Sequence, residues 1–270
     1  MTTALTDRTA LTRNRTRATP DAAFLHLTAI GEIKDRLAMV NKAFTDVAVV
    51  SGMPQVWADA FPDAMHIVDA DTLAFEPGAH DLVIHAMCLH WANDPVGQLI
   101  QMRRTLKPDG LMLAVLFGGG TLHELRTSLA QAEADLRGGL SPRVAPMGEI
   151  RDLGALLQRA GFALPVADSL PLSVSYASPV VLMHELRAMG EGNALAARAR
   201  HFSPRKMFDR AGEVYHQNFA DTDGRITATF ELIFLTGWSP DPGQPKPLRP
   251  GSARARLADA LGVPENPLKD

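Results

Sequence analysis

The sequence predicts an α/β fold in which a mostly parallel sheet is covered by helices on both faces. Short apolar runs typical of buried strands alternate along the chain with segments of helical periodicity, and short links join them. The 270 residues, 46% hydrophobic and 21% charged, are enough for one large domain with a sizeable core. Because parallel strands joined by helices need right-handed crossovers, we expect a doubly wound sandwich.

The composition narrows the classes of function. A formal charge of -3 gives no overall basic field, so we expect no nucleic-acid partner. The one cysteine, Cys88, lies in an apolar run, which excludes an intrachain disulfide and fits a reducing compartment. No apolar stretch approaches the roughly 20 residues that span a bilayer, so we expect no membrane insertion. We therefore predict a cytoplasmic protein with small-molecule or protein partners.

Residues 1–40 are predicted to form an N-terminal arm and helix. The first 18 residues are rich in arginine and threonine, as transit peptides are, but we interpret them as a solvated basic arm. Apolar residues then recur at helical spacing and predict an amphipathic helix over residues 21–40. The arginines of the arm are Arg8, Arg13, Arg15 and Arg17, against one acid, Asp7.

Residues 41–238 are predicted to form the main domain. Its first half contains four apolar runs that predict strands, over residues 46–52, 65–68, 81–89 and 111–117; those at 46–52 and 81–89 are predicted to be buried. Helices are predicted over 56–61 and 95–106, and "KPDG" at 107–110 predicts a turn. After three glycines, Thr121 and Glu124 have the spacing of a capping box that begins another helix.

The second half of this domain mixes helices with one alternating strand. A helix over residues 150–160 is predicted to end at Gly161. Ser178-Pro179 and Ser203-Pro204 each predict an N-cap followed by proline, within a helical insert over about 178–220. Residues 225–238 alternate in polarity and predict an antiparallel strand at or near a sheet edge. Residues 239–270 hold 7 of the 19 prolines and predict a proline-rich surface tail.

Several motifs resemble a known family. The segment "DADTLAFEPGAHDLVIHAMCLHWANDP", residues 69–95, resembles the class I S-adenosylmethionine-dependent methyltransferases, whose fold is a Rossmann-like sandwich. More narrowly, "LHWANDP", "RRTLKPDGLMLA", "RDLGALLQRAGFALPVAD" and "ATFELIFLTGW" look like bacterial relatives of the mitochondrial complex I assembly factor that is an arginine hydroxylase. The malonyl-carrier-protein methyltransferases are more distant members. The resemblance covers nearly the whole chain but fails between about residues 43 and 68.

The region that does not resemble the family includes the loop that holds the cofactor in its members. The resemblance implies S-adenosylmethionine as cofactor, with a glycine-rich loop after the first strand whose backbone amides approach it. Here the loop reads Ser51, Gly52, Met53, Pro54, so side chains obstruct the approach and Pro54 has no amide hydrogen. Only 16 residues separate Gly52 from Asp69, which accommodate one helix and one strand. We expect that one strand-helix unit, with the carboxylate that binds the ribose, is lost.

The remaining cofactor-binding candidates are Ser51, Gly52, Asp69, Ala70, His85 and Ala86. The resemblance implies that Asp69 and Ala70 contact the adenine; a solvated loop acid is the alternative. It places His85 and Ala86 beneath the cofactor, although a core histidine is the alternative at His85. The candidate catalytic residues are His85, His90 and Trp91, with packing as the alternative for Trp91. Asp94 before Pro95 is predicted to cap a helix.

Other chemistries have weaker support. His80, His85 and His90 are spaced by five, which on a strand points alternate side chains to opposite faces, so we expect no metal site. The glycines at 118–120 precede a helix and could bind phosphate, but a flexible turn at the rim of the site is the favoured interpretation. Arginines in "SPRVAP" at 141–146 and "KPLRPGSARAR" at 246–256 are candidates for contact with a protein partner.

Two functional hypotheses follow. The first is an enzyme, a methyltransferase or an arginine-modifying oxygenase, that still uses S-adenosylmethionine in a reduced site and acts on a protein or small molecule. The second is a noncatalytic pseudo-methyltransferase that acts as an assembly or binding factor, with a partner like a complex I subunit. The degenerate loop favours the second hypothesis, and the family resemblance favours the first.

Overall fold

The computed structural model describes residues 4–245 and Gly262. Residues Met1–Pro240 form one compact unit, and Asp241–Asp270 a second. Within the described part, no helix is long and apolar enough to cross a membrane.

The helices are α1 (Arg8–Thr16), α2 (Phe24–Met39), α3 (Pro54–Ala60), α4 (Pro95–Thr105), α5 (His123–Arg137), α6 (Ile150–Arg159), α7 (Pro179–Ala188) and α8 (Arg205–Phe219). The strands are β1 (Val47–Ser51), β2 (Met65–Val68), β3 (His80–Ala86), β4 (Leu106–Phe117), β5 (Ala163–Tyr176) and β6 (Ile226–Trp238).

The six strands form one sheet in the order β2-β1-β3-β4-β6-β5. The first four are parallel, and β6 is antiparallel to both β4 and β5. This confirms the predicted α/β sandwich with a C-terminal antiparallel strand. Only α3 and β2 lie between Gly52 and Asp69, as the short spacing predicts. The long edge strand is β5, and β6 lies one strand inside it.

The core lies on both faces of the sheet because side chains along a buried strand alternate. On β4, Leu113 and Val115 belong to a cluster that α2, α5 and α8 cover. Met112 and Ala114 belong to the opposite cluster, which α4 and α6 cover. The continuous apolar sequence of this strand therefore reflects burial on both faces.

Two predicted helix starts are wrong. Thr121 and Glu124 form no capping box, because the Thr121 hydroxyl donates to the Glu231 carbonyl and the Glu124 carboxylate accepts from Thr229. Helix α5 instead begins after Leu122, which has a left-handed backbone with φ 53°. Ser203 does not cap α8. The N-cap position of this helix is occupied by Pro204, which makes no side-chain hydrogen bond. Asp94 and Ser178 do cap α4 and α7 as predicted.

The "KPDG" segment is part of β4. The pairing of β3 with β4 shifts register here, from His80 with Leu106 to Leu82 with Leu111. Asp109 has φ 58°, in the left-handed region that turn residues adopt. The predicted turn is therefore an irregularity within one continuous strand.

The side of the sheet near β1 is closed by Trp57 of α3. Trp57 is fully buried, and its Nε1 donates to Nδ1 of His26 on α2 at 3.0 Å. This bond requires an unprotonated Nδ1, and burial lowers the pKa of His26 from 6.5 to about 4. The contact fixes α3 against α2 through a neutral histidine.

Replacing His26 with Gln should weaken the pH dependence of stability. The unfolded chain binds a proton at this histidine before the folded chain does, so stability is full above pH 6.5 and falls as the pH drops towards about 4. Between pH 7 and pH 5 this amounts to about 2 kcal/mol. Urea unfolding at pH 7 and at pH 5 should show that His26→Gln loses less stability over this range than the wild type, by about 2 kcal/mol. His216→Gln, at an exposed position, is the control, and equal pH dependence of all three proteins would contradict the assignment.

Candidate functional site

The predicted cofactor positions meet at the carboxyl ends of β1, β2 and β3. The sheet register places Ser51 beside Val68 on one side and Ala86 on the other. Gly52 and Asp69 each follow directly, and Ala70 comes next. The candidate positions thus lie together at the carboxyl edge of the sheet, where open α/β folds bind their ligands.

Asp69 lies in an ion-pair cluster with the N-terminal helix. Arg15 Nη1 donates to Asp69 Oδ2 at 2.5 Å. Arg8 contacts the other carboxylate oxygen at 3.3 Å, and it donates to the backbone carbonyl of Asp69. The side chains are 1% (Asp69) and 12% (Arg15) exposed. The predicted solvated arm is therefore wrong for these residues, because two arginines of α1 pair with a buried carboxylate. The alternative of a solvated acid at Asp69 is wrong as well.

The arginines keep Asp69 charged. Burial by itself raises the pKa of this carboxyl, but the charge of Arg15 and its hydrogen bond outweigh burial, aided by His85 and Arg8. The net result is a pKa below the ordinary value of 3.8. The carboxylate is thus ionised at neutral pH, and its acceptor oxygens are directed to arginine.

Gly52 packs against the guanidinium of Arg15. A Cβ placed on Gly52 would lie 2.3 Å from Arg15 Cζ, which is far inside contact distance. The φ angle of Gly52 is not positive, so its backbone conformation does not by itself require glycine. The close approach to Arg15 is what demands it. Trp57 does not lie against Gly52, since its ring bonds to His26.

Two positions of the loop, Met53 and Pro54, offer no free amide hydrogen to a ligand. The Met53 amide donates to Ser51 Oγ at 2.9 Å, and Pro54 has no amide hydrogen. Pro54 is instead the first residue of α3, a position that proline suits. The loop is built to begin a helix.

His85 is a buried member of a hydrogen-bond network. Its Nε2 pairs with Gln98 Oε1 at 2.8 Å, and Gln98 Nε2 donates to the Ala70 carbonyl at 2.9 Å. Cys88 Sγ lies 3.5 Å from His85 Nδ1. Burial lowers the pKa of His85 to about 4 and raises that of the Cys88 thiol, so both groups are neutral at pH 7. A neutral, fully buried thiol is a poor nucleophile, and this arrangement holds the loop at Ala70.

His90 and Trp91 lie in a short 3₁₀ helix, Leu89–Trp91, beyond β3. Trp91 Nε1 donates to Glu191 Oε2 at 2.7 Å, and His90 Nε2 lies 3.3 Å from the same oxygen. Burial raises the pKa of Glu191, but the bond from His90 and nearby positive charges outweigh it, so the net pKa is lowered. Two of the three predicted catalytic candidates thus pair with a mostly buried carboxylate that the sequence analysis missed.

An apolar cavity of about 280 Å³ lies beside Trp91. Its wall includes Glu191 and Arg143 among mostly apolar side chains. The apolar lining comes from Phe117, Leu125, Met147, Met183, Phe208 and Phe230. The cavity has the mainly apolar character of ligand and side-chain pockets.

Two other candidate sites are occupied by internal bonds. The Gly120 amide donates to the Glu231 carboxylate at 2.8 Å, so the glycine loop holds an anion of the chain itself. In "SPRVAP", Arg143 pairs with the buried Glu133 at 2.8 Å. The segment "KPLRPGSARAR" lies outside the described residues. Within the described part, no three metal-binding side chains cluster.

The residues missed by sequence reasoning are those that close the site: Arg8, Arg15, Gln98 and Glu191. Arg8 and Arg15 are seven residues apart, two turns of one helix, which puts both on one face. That spacing was visible in the sequence. Their partner Asp69 is 54 residues away from Arg15, and only the folded chain brings the charges together.

The comparisons with known proteins agree with this architecture. A methyltransferase-domain family matches residues 30–114. The mitochondrial arginine-hydroxylase NDUFAF5 of Danio rerio is 34% identical over 228 residues, covering 84% of this chain and 69% of that protein. The chain belongs to the same family as this NDUFAF5 protein. It is also 33% identical over 177 residues to a malonyl-[acyl-carrier protein] O-methyltransferase from Laribacter hongkongensis, covering 66% of this chain and 57% of the relative.

The fold comparison is consistent with a class I S-adenosylmethionine-dependent methyltransferase fold. A Bacillus halodurans structure assigned as a methyltransferase superposes with a TM-score of 0.50 at 16% identity, covering 78% of this chain and 99% of its own. The chain spans 42% of the Dictyostelium discoideum NDUFAF5, 57% of the human protein and 69% of the Danio rerio protein.

Two arginines of α1 lie at the positions that the resemblance assigns to the cofactor. Arg15 occupies the space against Gly52, and the Asp69 carboxylate is bound by two arginines. No further strand stands between α3 and β2 to provide a ribose carboxylate. A cavity of about 260 Å³ lies at this edge, lined by Arg15, Gly52, Met53 and Pro54 among others.

Replacing Gly52 with Ala should destabilise the protein by about 2 kcal/mol, because the new Cβ displaces Arg15 from Asp69. In an Arg15→Met background the same change should be neutral or slightly stabilising, since alanine restricts the unfolded chain. Urea unfolding of the four proteins measures the coupling. Gly31→Ala, which meets no atom within 4 Å, is the control; additive effects would show that Arg15 does not contact Gly52.

Replacing Asp69 with Asn should destabilise the protein by about 3 kcal/mol, because two partly buried arginines lose their counter-charge. Asp71→Asn, at a side chain 58% exposed, should cost well under 1 kcal/mol. Thermal and urea unfolding measure both. Similar losses for the two variants would contradict a structural role of the buried pair.

Proposed function

We propose that this chain is a noncatalytic member of the methyltransferase-fold family, a binding or assembly factor that does not use S-adenosylmethionine. The single observation that carries the proposal is the position of Arg15, against Gly52 and paired with Asp69. In the family these two positions would face the cofactor. Here they stabilise the attachment of α1.

The short loop passage supports the same conclusion. Binding energy for a nucleoside cofactor depends on a few well-placed polar groups. The Met53 amide is bonded within the loop, Pro54 lacks an amide hydrogen, and Asp69 is neutralised by arginine. A ligand at this edge would have to displace a buried ion pair before it gained any contact.

The apolar cavity beside Trp91 supports a binding role. Its lining does not include Arg8, Arg15 or Asp69, so the ion-pair cluster does not fill it. The resemblance to complex I assembly factors makes a complex I subunit the first partner to test. Several relatives are named arginine hydroxylases, but the missing part of the cofactor site argues against the same chemistry in this chain.

Calorimetric titration with S-adenosylmethionine and S-adenosylhomocysteine tests the proposal. We expect a dissociation constant weaker than about 100 μM, or about -5.5 kcal/mol, because the Arg15–Asp69 pair resists displacement. Asp69→Asn serves as the comparison. Low-micromolar binding by the wild-type chain that Asp69→Asn abolishes would overturn the proposal.

Complementation tests the role in assembly. In cells of the source organism that lack this protein, the wild-type chain and His90→Gln should restore complex I activity to within about twofold of each other, because His90 serves as a bonding partner of Glu191. The melting temperature of His90→Gln must first be shown to be close to that of the wild type. Loss of complex I activity in a stable His90→Gln protein would indicate catalysis.

A further inference from the structure

Two neighbouring segments form an exposed surface far along the chain from the cofactor edge. We call residues 136–143 and 198–206 the loop pair. The first follows the end of α5, and the second leads into α8. Two hydrogen bonds join them, from Arg137 Nη1 to His201 Nε2 at 2.6 Å and from Arg143 Nη2 to Ser203 Oγ at 3.1 Å. The loop pair is therefore one connected surface.

Large apolar side chains project from both segments. Phe202 is 100% exposed and Leu140 is 71% exposed. Phe202 lies between His201 and Ser203, and Leu140 lies between the two arginines that bond to them, so both project from the joined region. A phenylalanine with no contact over any of its surface gains nothing from burial in the free protein. Such residues mark surfaces that meet an apolar environment.

The loop pair is also strongly basic. Its two segments contain no Asp or Glu, and their six cationic residues are Arg137, Arg143, Arg198, Arg200, Arg205 and Lys206. Arg143 forms an ion pair with Glu133, and Arg198 and Arg200 both form ion pairs with Asp7.

Arg137, Arg205 and Lys206 remain for an external anion. Arg137 bonds to a histidine ring, and Arg205 is 95% exposed with its one acid, Asp209, at 3.9 Å. Lys206 makes no ion pair within the described part of the chain. Because the whole chain carries a formal charge of -3, this positive surface is local.

We propose that the loop pair is a docking site for an anionic phospholipid surface. Apolar tips with cations around them match the bilayer interface, where side chains such as Phe202 enter the acyl boundary and arginines and lysines meet phosphate groups. A peptide ligand would be held in a groove, whereas Phe202 stands free of all neighbours. The contact is peripheral and needs no spanning helix. It is independent of the proposed noncatalytic function.

Vesicle sedimentation with the full chain tests the site. We expect about tenfold stronger partition into phosphatidylcholine vesicles containing about 30% phosphatidylglycerol than into pure phosphatidylcholine, and a loss of binding at about 0.5 M NaCl. The double variant Phe202→Ser/Leu140→Ser should bind about tenfold more weakly. Met39→Ser, which changes a methionine 78% exposed on α2, is the matched control and should bind like the wild type.

The charge requirement has its own pair of variants. Arg205→Glu/Lys206→Glu should reduce partition about tenfold, while Arg151→Glu, at an exposed position on α6, should have little effect. Equal partition into both kinds of vesicle, or equal losses in the control variants, would overturn the proposal. So would binding to soluble polyglutamate without partition into vesicles, since that would identify an acidic protein partner.

Discussion

The ion pair between Arg15 and Asp69 is the interaction on which the organisation of the site depends. A carboxylate that is 1% exposed is stable in its charged form only beside a compensating cation. Arg15 supplies that cation from α1, and Arg8 adds a second contact from the same helix. The N-terminal helix is thereby attached to the carboxyl edge of the sheet, beside Gly52.

The short passage between β1 and β2 makes this arrangement possible. With only α3 between them, β2 is the edge strand of the sheet at this side. Trp57 bonds to His26 beside this edge, and the His85–Gln98 pair holds the loop at Ala70. The polar side chains at this edge therefore bond mainly to one another. A cavity of about 260 Å³ remains beside them, lined by Arg15, Gly52, Met53 and Pro54 among others.

Family membership and site geometry give different information about function. Identity of 34% over most of the chain shows the family, and the superposition on the Bacillus halodurans structure shows the fold. Activity depends on particular groups being free to act, and here the candidates are bonded internally: His85 to Gln98, and His90 and Trp91 to Glu191. In the described part of the chain, the apolar cavity, the cavity beside Gly52 and the loop pair face outward.

The sequence by itself determined the fold class and most strands, and it named candidate residues that the fold brings to one edge of the sheet. A continuous apolar run indicates burial, so β3 and the body of β4 were predictable, and the 16 residues before Asp69 fixed how many elements could fit. Local polar patterns were less reliable, since Thr121 and Ser203 bond to distant partners where a cap was expected. Only the tertiary structure decided the state of the cleft. Whether Arg15 is solvated or buried depends on a charge that lies 54 residues away along the chain, and pairing over such a distance leaves no periodic trace in the sequence.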